Sequence, residues 1–170
     1  MKKLFLMLTL LPILCWADPA PLGFEINKAH YNGVKKAYRG QETGINKFSQ
    51  GPMYRIPAQD IDMAGLKDVV FTFNNQDILQ YVQMTFHSKN KFDELASQLA
   101  SKYKMTKKQR PHVGNRYAEY QNGNSKILLE APHMSFDTTL TYVSNQFLKA
   151  YQNISQNEEQ QRKNKQKSML

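Results

Sequence analysis

The segment from residue 69 to residue 87 constrains this chain more than any other. Val69-Val70-Phe71-Thr72-Phe73 is a run of β-branched and aromatic residues, and Asn74-Asn75-Gln76-Asp77 has the chemistry of a turn. Ile78 to His87 then alternates: Ile78, Val82, Met84 and Phe86 share one face with Gln80, while Leu79, Tyr81, Gln83, Thr85 and His87 share the other. Phe71 and Phe73 fall with the first set. A hairpin with one face this apolar must bury it against a second layer. The next segment supplies one. Phe92, Leu95, Ala96, Leu99 and Tyr103 recur at helical spacing between Lys91 and Lys104. Asn90 is the expected N-cap, with Asp93 at the third helical position and Lys102 and Lys104 in the last turn.

The flanking segments extend this unit. A helix is expected over 26–40, with Asn27 as N-cap, Ile26 and Tyr31 as a hydrophobic staple, and Gly40 as a left-handed terminator. Short edge strands are expected at Ile45–Phe48 and Met53–Ile56. Beyond a basic loop at 107–114, strands are expected at Arg116–Gln121, Ile127–Glu130 and Thr138–Val143, the first two joined by an Asn122-Gly123 turn. Ser144 caps a last helix carrying Phe147, Leu148, Tyr151 and Ile154. Strands grouped in hairpins predict an α+β fold, an antiparallel sheet with helices on one face. The two helix-then-strands sets, ending near Ala37-Tyr38 and Lys102-Tyr103, raise an α-β-β duplication as a variant of it.

Over residues 26–86 the helix–Gly–strand–strand order resembles small bacterial envelope proteins with a helix-then-hairpin module, such as small outer-membrane assembly lipoproteins and β-lactamase-inhibitor-like domains. The resemblance lies in element order. It implies a non-enzymatic envelope module and transfers no functional residue.

The N-terminus predicts export. Lys2 and Lys3 precede an apolar run from Leu4 to Leu14, and Cys15-Trp16-Ala17 puts small residues at the −3 and −1 positions of a cleavage site. Residues 1–17 read as a signal peptide, 18–25 as an extended leader, 26–156 as one α+β domain and 157–170 as a basic polar tail. Lipid attachment at Cys15 is the rival, and Pro12 and Leu14 fit it badly. Cys15 is the one cysteine in the sequence, so the processed chain has neither disulfide nor thiolate. No later stretch is long and apolar enough for a membrane span. The expected location is the periplasm or the exterior.

Charge and side-chain inventory narrow the chemistry. The net charge of +9 falls by the two signal lysines to +7, and Arg162, Lys163, Lys165 and Lys167 on the tail supply four of those charges. An envelope protein or an anionic surface, lipid headgroup or polysaccharide, is the expected partner, and nucleic acid is not. The interaction surface is expected to combine Lys107, Lys108, Arg110, His112, His133, Met134 and Phe136 with those tail cations. Met134 and Phe136 follow Pro132 on a loop, where they either form a contact surface or tuck back beneath the sheet.

No cofactor motif is present. The four histidines, His30, His87, His112 and His133, lack metal-ligand spacing, though His112 and His133 flank one hairpin beside Met134. The Asp60-to-Gly65 stretch starts like a calcium loop but ends on Phe71 where the bidentate Glu belongs. The expected function is an exported, non-enzymatic binding or accessory protein of the bacterial envelope. The alternative is a small secreted hydrolase acting on an envelope polymer or lipid, for which Glu119, Glu130, His112 and His133 are the candidates.

Overall fold

The structure is a computed structural model that describes residues 17–169. The charged start, the apolar run and Cys15 of the expected signal lie outside the described residues. Eight strands form one antiparallel sheet: β1 Gln41–Ile45, β2 Gln50–Pro57, β3 Leu66–Asn74, β4 Leu79–His87, β5 Lys104–Gln109, β6 Arg116–Asn122, β7 Ser125–Ala131 and β8 Asp137–Ser144. Three α-helices accompany them: α1 Tyr31–Ala37, α2 Lys91–Ala100 and α3 Asn145–Lys167. The strand order is β1-β2-β3-β4-β8-β7-β6-β5, so β4 and β8 pair at the centre. A helix followed by four strands occurs twice in the chain, and each set of four runs outward from that central pair.

The β3–β4 hairpin forms as its alternation requires, with two changes of register, one between Leu66 and Asp68 and one beside the turn. Thr72 pairs with Tyr81 but Phe73 pairs with Leu79. The extra residue on β4 brings Leu79 opposite Phe73, and both are fully buried. Leu79 therefore joins the core, and Ile78 makes an isolated bridge to His30 instead.

Phe71, Val82, Tyr142, Ile127 and Tyr120 form one row across the apolar face, and Val69, Met84, Leu140, Leu129 and Ala118 form the next. α2 buries Phe92, Leu95, Ala96 and Leu99 over β6 and β7. Each large side chain removed from water there contributes about 1.5–3 kcal/mol. Tyr120 fixes the helix position, because its buried hydroxyl donates to the Ala96 carbonyl at 2.9 Å. α1 covers the other half, with Tyr31 edge-on to Tyr54 and Phe73. That phenol also donates to Glu42 at 2.7 Å, and burial, reinforced by this carboxylate, pushes its pKa up to about 12.

α1 is shorter than the 26–40 helix expected from the sequence. Asn27 N donates to Leu79 O and Leu79 N to Ala29 O, so this stretch is held against β4 and cannot wind into a helix. Asn27 has positive φ and sits in a turn, and His30 is the N-cap. Gly40 does not terminate the helix; Tyr38 does. A Cβ on Gly40 would lie 2.5 Å from the Arg55 carbonyl oxygen, so close packing on β2 requires glycine there. The expected strand at Ile45–Phe48 moves back to β1. Asn46 Oδ1 accepts from Phe48 N and Ser49 N, and this local turn takes residues 46–49 out of the ladder.

The helices do not all share a face. α1 and α2 lie on the apolar face, whereas Phe147 in the first turn of α3 stacks on Tyr81 at 5.1 Å, and Tyr81 belongs to the opposite face. The cause is local: Ser144 caps α3 by accepting from Phe147 N at 3.0 Å while donating to buried Gln80 at 2.7 Å, which turns the helix at the sheet end. α3 then continues as one helix to Lys167, and its residues from 156 onward are exposed.

Candidate functional site

The residues expected to form one interaction surface occupy three places. Arg110 and His112 lie on the β5–β6 loop, and His133, Met134 and Phe136 on the β7–β8 loop; Asn115 Oδ1 accepts from His133 N at 2.8 Å and so joins the two. Lys107 and Lys108 lie on edge strand β5, not in the loop expected at 107–114. Lys107 lies over the Tyr117 ring at 5.5 Å. Cationic side chains along an edge strand discourage further strand pairing. Arg162, Lys163, Lys165 and Lys167 are on the distal half of α3, which begins at the other end of β8. Met134 and Phe136 do not tuck beneath the sheet. They are 89% and 87% exposed.

A second candidate lies on the sheet face opposite α1 and α2. A groove of about 600 Å³ runs between that face and α3. Phe48 from the β1–β2 turn, Tyr81 from β4, and Phe147 and Tyr151 from α3 form its aromatic wall. Phe48 meets Phe147 at 6.1 Å and Tyr151 at 4.8 Å between ring centres. Val70, Leu128 and Val143 contribute apolar floor, and Thr72, Gln83 and Thr141 contribute polar floor. Among the described residues Glu130 is the one carboxylate lining it. Tyr81 donates to Gln83 Oε1 at 2.5 Å, and burial raises its pKa, so the phenol stays protonated at neutral pH.

Sequence reasoning missed this groove because its walls come from segments about 100 residues apart. The signal available was the second face of β4, with Tyr81 among polar residues, together with Phe48 at the end of the expected edge strand Ile45–Phe48.

The side chains nominated for hydrolysis do not gather there. Glu119 accepts from Lys126 at 2.7 Å and from Tyr117 at 2.8 Å, and the Lys126 contact holds its carboxyl below the usual range. Burial and the same carboxylate raise the Tyr117 pKa. Of Glu119, Glu130, His112 and His133, only Glu130 lines the groove, and His112 and His133 stand exposed on loops. Glu119 pairs with Leu128 and Glu130 with Tyr117, so the two carboxylates are diagonal neighbours on one sheet face and do not face each other across the groove. Among the described residues no three His, Cys, Asp or Glu side chains are placed to hold a metal ion. Asp60 ends a 3-10 turn, Ala58–Asp60, ahead of β3.

Among the described residues no helix is long and apolar enough to cross a membrane. No family model matches this chain, and no curated protein or solved structure matches it either.

Proposed function

We propose that this protein is an exported, non-enzymatic binding protein of the bacterial cell envelope, and that its groove holds the acyl chain of an amphiphile. The groove between α3 and the second sheet face carries this reading. Its aromatic wall and aliphatic floor suit a chain of methylenes, and Gln83 and Glu130 give a polar group places to hydrogen-bond. The volume is that of a small-molecule site.

Export is supported from the other end of the chain. Asp18, the first residue after the expected cleavage site, is tied into the fold through its carboxylate, and Ile26 N donates to Pro19 O at 3.0 Å. The segment expected as an extended leader contains a 3-10 turn, Pro21–Gly23, with Pro19 and Pro21 buried. Cleavage after Ala17 keeps these Asp18 and Pro19 contacts and gives up the bond from Asn122 Nδ2 to Ala17 O at 2.8 Å. The repeated order of one helix and four strands further supports descent from a duplicated unit, longer than an α-β-β module.

Titration with a dansyl-labelled fatty acid tests the groove. Saturable, blue-shifted emission is expected from the unmodified protein, with loss of binding in Leu128→Trp, which fills the floor. Equal binding by a folded Leu128→Trp variant would overturn the assignment. Export is tested separately by sequencing the N-terminus of protein from a periplasmic extract. A chain beginning at Asp18 supports it, and a full-length cytoplasmic chain refutes it.

A further inference from the structure

At the sheet end away from the start of α3, the β5–β6 and β7–β8 loops stand side by side. The β7–β8 loop is fixed by its backbone. Ser135 N donates to Pro132 O at 3.1 Å, Asp137 N to Ser135 Oγ at 3.0 Å, and Ser88 N to Phe136 O at 2.9 Å. His133 is held from both sides, by Asn115 through its N–H and by Lys89 Nζ through its carbonyl. A loop this constrained nevertheless directs Met134 and Phe136 almost fully into solvent, and Val113 on the neighbouring loop is 70% exposed. The apolar tips are therefore part of the fixed geometry.

Their surroundings are cationic. Arg110 and Arg116 share the single carboxylate of Asp93, Lys67 faces Asp137, and the Lys89 contact is to a carbonyl. In these contacts four cations face two carboxylates, and beside them Lys91 pairs with Glu94 at 2.8 Å. His87, His112 and His133 also lie at this end of the sheet, with His87 3.6 Å from Asp137.

We infer that this loop end docks on an anionic lipid surface, with Met134 and Phe136 entering the headgroup–acyl boundary and Lys89 and Arg110 at the level of the headgroups. Projecting apolar tips ringed by positive charge fit the boundary of such a bilayer, where the rings and thioether leave water while the cations stay among phosphates. The inference draws on the envelope reading only for the membrane it meets. It needs no ligand in the groove.

The experiment uses the processed chain from Asp18, which contains every strand and helix described. Trp16 is the one tryptophan in the sequence, so Phe136→Trp gives that chain a single reporter at the loop tip. Vesicles of phosphatidylglycerol and phosphatidylcholine should shift F136W emission to the blue, and lipids brominated along the acyl chain should quench it. Co-sedimentation of the otherwise unmodified chain should fall about tenfold in a Met134→Ser, Phe136→Ser double variant. Lys89→Gln with Arg110→Gln should reduce the preference for anionic over pure phosphatidylcholine vesicles. F136W emission unchanged by anionic vesicles would overturn the inference, as would equal sedimentation of the double variant. Cross-linking through this loop to an envelope protein, with no transfer to lipid, would also refute it. Because the reporter sits on the loop, binding through the basic end of α3 cannot imitate the emission shift or its quenching. The assay requires neither export nor acyl-chain binding, so the failure of either leaves its outcome readable.

Discussion

The carboxylate of Asp18 accepts a hydrogen bond from the hydroxyl of Ser125 at 2.8 Å, joining two residues 107 positions apart. The same side chain accepts from Asn124 N at 2.7 Å and from Asn27 Nδ2 at 3.0 Å. One carboxylate thus ties the start of the fold to the β6–β7 turn and to the turn before α1.

Asp18→Ala should destabilise the processed chain by about 2 kcal/mol, because the buried Ser125 hydroxyl loses its acceptor. Urea unfolding measures this, and Asp18→Asn should recover part of the loss. The backbone nitrogen of Asp18 lies 3.2 Å from Glu25 Oε1. In a chain that begins at Asp18 this nitrogen is an ammonium, and the contact becomes an ion pair. Glu25→Gln should therefore cost more in that chain than in one carrying extra residues before Asp18.

Ser144→Ala removes the α3 cap and the partner of Gln80 together. A loss of about 1–2 kcal/mol is expected from thermal melts. Replacing Gln80 by Leu in the same chain should restore part of it, since the amide is buried and would otherwise lack its donor. No recovery would argue that the cap alone is responsible.

Glu119 should make stability depend on pH in the acid range. Its folded pKa lies below the ordinary carboxylate value because Lys126 hydrogen-bonds the charged form. A depressed carboxylate contributes stability above its unfolded pKa and loses it as the pH falls through the folded one. The pair is partly exposed on the lysine side, so about 0.5–1 kcal/mol is at stake. Glu119→Gln should flatten the stability profile below about pH 4.5, as read by denaturant midpoints.

Removing residues 157–170 should leave the melting curve nearly unchanged. The truncation breaks the ion pair between Lys47 and Glu158 at 2.8 Å, whose side chains are both more than half exposed, and such a pair is worth less than about 1 kcal/mol. Vesicle sedimentation at low salt should weaken, because the truncated chain lacks four tail cations, each worth up to about 1 kcal/mol near an anionic surface. At high salt the two forms should sediment alike. A sharp drop in melting temperature would show that the distal half of α3 supports the sheet.

Much of the antiparallel sheet is legible in the sequence. The central hairpin, β8 and the buried stripe of α2 follow from period-2 and period-3.6 patterns in single segments; the β6–β7 turn falls one residue beyond the expected Asn122-Gly123, at Gly123-Asn124, because Asn122 pairs with Ser125. Pattern and structure part where a distant partner sets the local conformation. The stretch around Asn27 has helical pattern but is paired to Leu79, and Lys107-Lys108 reads as loop until Ala118 and Glu119 lie beside it. Met134 and Phe136 stand out in the sequence, but their exposure rests on hydrogen bonds to Ser88, Lys89 and Asn115.

By itself the sequence determined an α+β chain with an antiparallel core, one amphipathic helix to cover it and a basic end, because these depend on spacing between neighbours. Only the tertiary structure decided that β4 pairs with β8, that Leu79 turns inward and that α3 lies on the second face. Those outcomes depend on which strands meet and on a single extra residue in a ladder. The groove follows from them: Phe48, Tyr81 and Phe147 have no local relation, and they meet only because the sheet closes the distance between them.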